Sequence, residues 1–275
     1  MTDAPRTTVP PDDPGEVVRR IAEGGGPIVV AMSGGVDSSV VAALAFEALG
    51  TQAVAVTLTG PAVARREVDR AARVARSIGI AHLEIEVNPL ALVSYRANPS
   101  NRCFFCRSVE AEALTAEGVR RGAHQYVDGI HLDDLGEERP GIAAMERAGF
   151  HHPLAMAGWR KTEVRREARR RALPNWDEPS DACLASRVAH GQAIDRDLLS
   201  RIERAEEIVR SFGFRRVRVR VGGRSARIEV DPAEVGRLAA PSVAANVREG
   251  LMRLGFATVT IDPAGYHGLL PVGGR

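Results

Sequence analysis

The chain reads as an α/β protein: a doubly wound parallel sheet with a second, smaller α+β domain. Three observations predict this. Short apolar runs alternate with helical segments through the first two-thirds of the chain, the pattern of a parallel sheet covered on both faces. A Gly/Ser-rich turn, Ser33-Gly34-Gly35-Val36-Asp37-Ser38-Ser39, joins the first apolar run to the next helical segment. Beyond residue 190 the texture changes to a strictly alternating strand, Arg216–Val221, and a Gly222-Gly223 hairpin turn.

The elements follow in order. Met1–Glu16 is rich in Pro, Asp and Thr and reads as a disordered tail rather than a signal peptide. Pro27–Met32 is a buried strand and Val40–Leu49 a helix rich in Ala, Leu and Val. Gln52–Thr59 and His82–Val87 are strands on either side of a charged amphipathic helix, Arg65–Ile80. Asn98–Arg121 is a loop leading into a helix, and Gln125–Ile130 is a fourth strand ending near Gly129. Helices are expected over Gly141–Ala148 and Thr162–Arg171, with Thr162 as cap and Pro174 beyond the end. Leu173–Gln192, with Pro174 and Pro179, reads as a functional loop and linker. Arg196–Phe212 is a helix, and Arg216–Val221 and Ser225–Val230 are strands. One or two helices cross Pro232–Leu254, and Thr258–Ile261 is the last strand. The expected divisions are a tail over 1–15, an α/β domain over 16–190 and an α+β domain over 191–275.

The loop from Ser33 to Ser39 lies between a strand end and a helix start, where unpaired N–H groups and the positive end of the helix dipole suit a phosphate. Gly34 and Gly35 allow close approach of the backbone, and Ser33, Ser38 and Ser39 add hydroxyls. A carboxylate beside phosphates repels them, so Asp37 makes sense with a Mg²⁺ ion between the two. The loop has no Lys and is not the Gly-x-x-x-x-Gly-Lys pattern, nor is it the dinucleotide pattern.

The 275 residues suffice for one large or two modest domains. Hydrophobic content of 44% and charged content of 26% are those of a soluble globular protein, and no apolar run approaches the length that spans a bilayer. A cytoplasmic location is expected. The net charge of +2 implies no global attraction to nucleic acid. Arg160–Arg171 holds seven basic and two acidic residues, which suits either a solvated helix face or a site for an anion. Of 37 basic residues only Lys161 is a lysine, a weak pointer to a place that needs a compact ammonium.

Three cysteines are present, Cys103, Cys106 and Cys183. The Cys103-x-x-Cys106 spacing at a helix entrance is metal- or redox-like, and a structural disulfide is not expected in a cytoplasmic chain. Three thiolates suit a 4Fe-4S cluster with one open iron, or Zn²⁺ with one of seven His residues, or no ligand at all.

The Ser33–Ser39 segment resembles the pyrophosphate loop of the ATP pyrophosphatases, the PP-loop superfamily that includes GMP synthetase, NAD synthetase, argininosuccinate synthase and the tRNA thiolases. The resemblance implies the adenine nucleotide α-hydrolase fold, ATP cleavage between the α- and β-phosphates, and adenylation of a substrate oxygen. Longer segments narrow it. Asn98–Arg107, Asp128-Gly129, Asp133-Asp134, Arg139-Pro140-Gly141, Lys161–Arg165, Pro179–Arg187, Arg216–Arg220 and Ala226–Val230 together resemble the LarE family. The likeness covers residues 15 to 270, and the segment around Cys183 is its most specific part.

LarE proteins are ATP-dependent sulfur transferases acting on pyridinium-3,5-biscarboxylic acid mononucleotide, whose carboxylates become thiocarboxylates on the route to the nickel-pincer nucleotide. By this resemblance Ser33, Gly34, Gly35, Asp37, Ser38, Ser39, Gly129 and Lys161 bind ATP, with Asp37 on Mg²⁺. Cys183 is catalytic, and Cys103, Cys106 and Cys183 carry the 4Fe-4S cluster that delivers sulfide from a sulfide donor. Arg187, Arg218 and Arg220 receive the substrate phosphate. The alternatives are sacrifice of Cys183 as the sulfur source, leaving dehydroalanine, and a PP-loop tRNA thiolase. A homo-oligomer is expected, with no membrane or nucleic-acid partner. Two positions depart from the family pattern: Gly129-Ile130-His131 stands where Gly-Thr-Asn is common, and Glu138 where a Tyr precedes Arg-Pro-Gly.

Overall fold

The computed structural model describes residues 13–135 and 140–266. The greater part of the expected tail, with Glu138 and Arg139, lies outside the described residues. Contacts divide the chain into two compact units: Met1–Thr59, Arg65–Val87 and Cys106–Ser180 form one, and Gly60–Ala64, Asn88–Phe105 and Asp181–Arg275 the other.

In the first unit β1 (Ile28–Ala31), β2 (Ala53–Thr59), β3 (Ala81–Glu86), β4 (Gln125–Val127) and β5 (Phe150–His151) form one sheet in the order β3-β2-β1-β4-β5. All neighbours are parallel. Alternate side chains of the central strands enter opposite cores. Ile28, Val30, Ala53 and Ala55 pack with Val40, Leu44, Val74, Trp159 and Val164. Val29, Val54 and Val56 pack with Ala111, Leu114, Met145 and Phe150. Burial on both faces explains why these strands read as unbroken apolar runs. The chain leaves β1 toward β2 on one side and returns to β4 on the other. A crevice therefore opens beyond their carboxyl ends, the usual ligand position in such sheets.

The sequence reading places four strands in this sheet and misses β5, and it carries the fourth on to Ile130 where β4 ends at Val127; two helix starts are also set by residues it does not name as caps. A helix spans Pro14–Gly24, starting inside the expected tail. The Asp13 carboxylate accepts from the Gly15 N–H at 2.9 Å, Pro14 presets the first turn, and Val17 and Ile21 are buried one turn apart. The later helix runs Lys161–Arg170, and Arg160 rather than Thr162 is its cap residue, with the Arg160 N–H donating to Glu163 Oε2 at 2.9 Å. A helix over Arg102–Arg120 carries Cys103 and Cys106 in its first turns.

In the second unit β6 (Val217–Gly222) and β7 (Ser225–Val230) are antiparallel, and β8 (Thr258–Ile261) joins β7 in parallel. Gly223, with φ of +58°, forms the turn. Val217, Val219 and Val221 are buried, as their alternation predicts. The arginine face of β6 is covered as well. Arg218 donates to Asp181 Oδ1 at 2.6 Å and lies over the Tyr266 ring, and Arg220 donates to Glu229 and to the Ser186 carbonyl.

Arg187 is turned inward, with 0% of its side chain exposed against 3% for its partner Glu206. The pair is forked, Nε to Oε1 at 2.7 Å and Nη2 to Oε2 at 3.1 Å. Arg187 Nη1 also donates to the carbonyls of Ala182 and Cys183. Truncating one member of a buried pair strands the other charge. Glu206→Ala is therefore expected to lower stability by about 3–5 kcal/mol, measured by urea unfolding followed by circular dichroism because both tryptophans lie in the other unit.

Candidate functional site

The helix Val36–Leu49 starts immediately after β1, and Gly35 precedes it without a side-chain cap. The N–H groups of its first turn thus face the crevice between β1 and β4. The loop itself is fixed by its own polar groups. Ser38 Oγ donates to the Gly35 carbonyl at 3.2 Å and accepts from the Ser33 N–H at 3.2 Å, and Ser39 Oγ donates to the Gly35 carbonyl at 2.8 Å. Gly34 has φ of +77°, and a methyl group there would lie 2.6 Å from the Glu67 carbonyl. The Gly34 carbonyl accepts from Arg70 Nε and Asn175 Nδ2, each at 2.9 Å, while Thr57 Oγ1 holds the Met32 carbonyl at 2.7 Å. Arg70 and Asn175 have no local signature in the sequence, since they reach the loop from distant elements.

Gly129, after β4, touches the same turn from the other side. A Cβ there would sit 2.4 Å from the Ser38 nitrogen and 2.7 Å from the Asp37 carbonyl carbon. Only glycine permits this approach. Asp128 carboxylate oxygen Oδ1 accepts from the Ile130 N–H at 3.1 Å and meets His152 Nδ1 at 2.7 Å, which fixes the loop that follows.

Lys161 Nζ donates to both Asp37 carboxylate oxygens at 2.6 Å, so the lone lysine of the chain stands at the mouth of the phosphate loop. The Lys161 N–H donates to Asp133 Oδ2 at 2.9 Å and Arg160 to Asp133 Oδ1 at 2.7 Å. These bonds, with the Lys161 N–H the largest contributor, hold the Asp133 carboxyl below its ordinary pKa. They also make Thr162 unnecessary as a cap. The rest of the basic helix is engaged in structural pairs. Arg170 and Arg171 bind Glu167, and Arg165 binds the Trp176 and Glu178 carbonyls. Of its basic residues, Lys161 is the one that reaches Asp37 of the loop.

The cysteines are all free thiols; Cys103 is exposed, and Cys106 and Cys183 are half-buried. Cys106 Sγ lies 3.2 Å from Glu110 Oε1. In the second unit the segment holding Cys183 is tied down through its backbone. The Leu184 N–H donates to the Ala62 carbonyl at 2.8 Å, and Arg102, itself bonded to Asn98, donates to the Ala185 carbonyl at 2.9 Å. Burial pushes the Cys183 thiol up, the neighbouring charges of Arg102 and Arg187 pull it down, and Cys103 pushes it up again. Among the described residues no three His, Cys, Asp or Glu side chains gather into a metal centre. Nor is any helix among them long and apolar enough to cross a membrane. Arg187, expected at the substrate phosphate, instead has no exposed side-chain surface.

Comparison with known proteins gives the same direction. Residues 17–117 match the NAD synthase family. The chain is 30% identical over 241 residues to the pyridinium-3,5-bisthiocarboxylic acid mononucleotide synthase of Lactiplantibacillus plantarum, covering 87% of each chain. It is 38% identical over 239 residues to an uncharacterised protein of Synechocystis sp., covering 87% of this chain and 89% of that protein. A GMP synthase of Aeropyrum pernix is 28% identical over 76% of this chain and 44% of its own length.

Two outcomes follow from this geometry. Gly129→Ala forces the strand-end loop off the Ser38 backbone, and is expected to weaken ATP binding at least tenfold, about 1.4 kcal/mol, by calorimetric titration. For His152, burial opposes the charged ring but is outweighed by Asp128, Glu146 and Asp134, so its pKa is raised above the ordinary 6.5. Its stabilisation is complete below pH 6.5 and is lost as pH rises through the higher folded value. His152→Gln should flatten that decline, read by urea unfolding with tryptophan fluorescence.

Proposed function

Since the chain belongs to the LarE family of PP-loop enzymes, we propose that it activates the carboxylates of pyridinium-3,5-biscarboxylic acid mononucleotide with ATP and replaces a carboxylate oxygen of each with sulfur. The observation that carries this reading is the uncapped helix start at Gly35, in the crevice between β1 and β4, with the Asp37–Lys161 pair at its mouth.

Backbone N–H groups and the hydroxyls of Ser33, Ser38 and Ser39 are assigned to the pyrophosphate arm, beside Gly34, Gly35 and Gly129. Asp37 fits a Mg²⁺ ion: a carboxylate at a phosphate-binding helix start needs a cation between the two charges. When bound, the ion supplies charge neutralisation on the phosphates. A substrate carboxylate oxygen attacks the α-phosphorus, the bond to the β-phosphate oxygen breaks, and pyrophosphate leaves. The Lys161 ammonium is positioned to turn from Asp37 to the phosphates as that charge develops. A sulfur nucleophile then attacks the acyl carbonyl, and AMP leaves with the carboxylate oxygen.

Cys103, Cys106 and Cys183 are assigned to a 4Fe-4S cluster. Three free thiols are the donor type such a cluster takes, and Arg102 and Arg187 oppose the burial that raises the Cys183 pKa. When bound, the cluster supplies sulfide from an open iron. Arg218 and Arg220 are assigned to the substrate phosphate, which would exchange with Asp181 and Glu229. Arg187 is assigned to holding the Cys183 segment. A cytoplasmic homo-oligomer taking sulfide from a donor completes the proposal.

The test is incubation of anaerobically purified protein with ATP, Mg²⁺, sulfide and the biscarboxylate nucleotide. Thiocarboxylate product, AMP and pyrophosphate are expected, with about four irons per chain and Cys183 intact by mass spectrometry. Dehydroalanine at Cys183 would place the chain in the sacrificial class, and pyrophosphate release that requires tRNA would place it among the tRNA thiolases.

A further inference from the structure

His131 follows Gly129 and Ile130 in the loop after β4, and it faces the phosphate loop. The residue is 6% exposed, and its Nδ1 is buried with no hydrogen-bond partner among the described residues. Three carboxylates surround the ring. Asp134 Oδ2 lies 3.4 Å and Asp133 Oδ2 3.8 Å from Nδ1, whereas Nε2 points the other way, 3.8 Å from Asp37 Oδ1. The His131 N–H donates to Asp134 Oδ2 at 3.2 Å, which keeps that carboxylate on the Nδ1 side.

A ring with its proton on Nδ1, toward Asp134, directs the Nε2 lone pair at the Asp37 carboxylate. Two acceptors then face one another, too far apart for a hydrogen bond and repelling unless a positive centre joins them. In the free protein Lys161 supplies positive charge to Asp37. Once that ammonium turns to the phosphates, Asp37 and Nε2 are left as an oxygen and nitrogen pair. Their spacing accommodates one ion at about 2.0–2.2 Å from each donor. The order carboxylate, imidazole, metal is the one that orients ligating histidines. No third protein ligand is gathered here among the described residues, so phosphate oxygens would complete the shell, as is usual for divalent ions at nucleotide sites.

We propose that His131 Nε2 and Asp37 together ligate the divalent ion that accompanies the nucleotide, so that the site takes a first-row transition ion such as Mn²⁺ more readily than an all-oxygen Mg²⁺ site would. This rests on ATP binding at the Ser33–Ser39 loop. Imidazole adds affinity for transition ions and little for Mg²⁺, which prefers oxygen.

The test uses the full chain, labelled with ¹⁵N-histidine, with Mn²⁺ and a non-hydrolysable α,β-methylene analogue of ATP. Mn²⁺ is the probe because thiolates select softer ions. Spin-echo spectroscopy should show a histidine nitrogen coupled to the bound Mn²⁺. In His131→Asn the coupling should vanish and Mn²⁺ affinity in the ternary complex fall about tenfold, a larger loss than that of Mg²⁺-supported nucleotide binding. No histidine coupling in the wild type, or one that survives in the variant, overturns the inference and leaves the nucleotide site standing. Failure of the analogue to bind with either ion overturns both. The wild-type spectrum decides the question even if the variant does not fold.

Discussion

The contact on which the nucleotide site depends is the approach of Gly129 to the backbone of Asp37 and Ser38. A Cβ at 129 would lie 2.4 Å from the Ser38 nitrogen, so any side chain there would force the two backbones apart. Everything that faces the crevice takes its position from this contact. The first turn of the helix Val36–Leu49 is pressed against the strand-end loop. Asp128, His152 and Ile130 fix that loop, and the loop in turn presents His131 and Asp133. Asp133 then sets the start of the helix Lys161–Arg170 and aims Lys161 at Asp37. The chain of contacts runs from one missing Cβ to one ammonium.

The Cys183 segment is held by a different principle. Arg187 and Arg220 donate to its backbone carbonyls, and Arg218 donates to the Asp181 side chain. Arg187 is paired with Glu206, Arg218 with Asp181 and Arg220 with Glu229. Buried pairs of this kind add little net stability, but each is costly to break. They hold the loop to one geometry. Burial raises the Cys183 pKa, and Arg102 and Arg187, which also hold backbone carbonyls of the segment, oppose that rise.

In the proposed reaction these two groups of residues would divide the labour of an ATP-dependent sulfur transferase. One offers helix dipole, hydroxyls and a paired carboxylate for phosphate chemistry. The other offers thiols among guanidinium groups. The paired charges share a physical logic: in the absence of ligand each reactive ion is covered by a partner from the chain itself, Lys161 on Asp37 and carboxylates on the arginines. In the proposed reaction, binding would exchange partners rather than create a bare charge in a half-buried place, which would keep the cost of desolvation low.

The sequence by itself determined four of the five strands of the parallel sheet, because strands buried on both faces read as apolar runs and the helices between them as periodic ones; β5 is two residues long and leaves no pattern. It also determined the phosphate loop, because Gly and Ser around a strand-to-helix turn are a local requirement. Strands β7 and β8 were legible as local patterns too. Tertiary structure alone decided what depends on distant partners. The Asp13 cap at the head of an apparent tail is one case. The inward turn of Arg187, and the arginine face of β6 covered by Asp181, Glu229 and Tyr266, are others. A strict alternation predicts a face, but not what lies over it. The same holds for His131, whose chemistry is set by carboxylates at positions 37, 133 and 134. The first of these is brought near only by folding, through the meeting of β1 and β4.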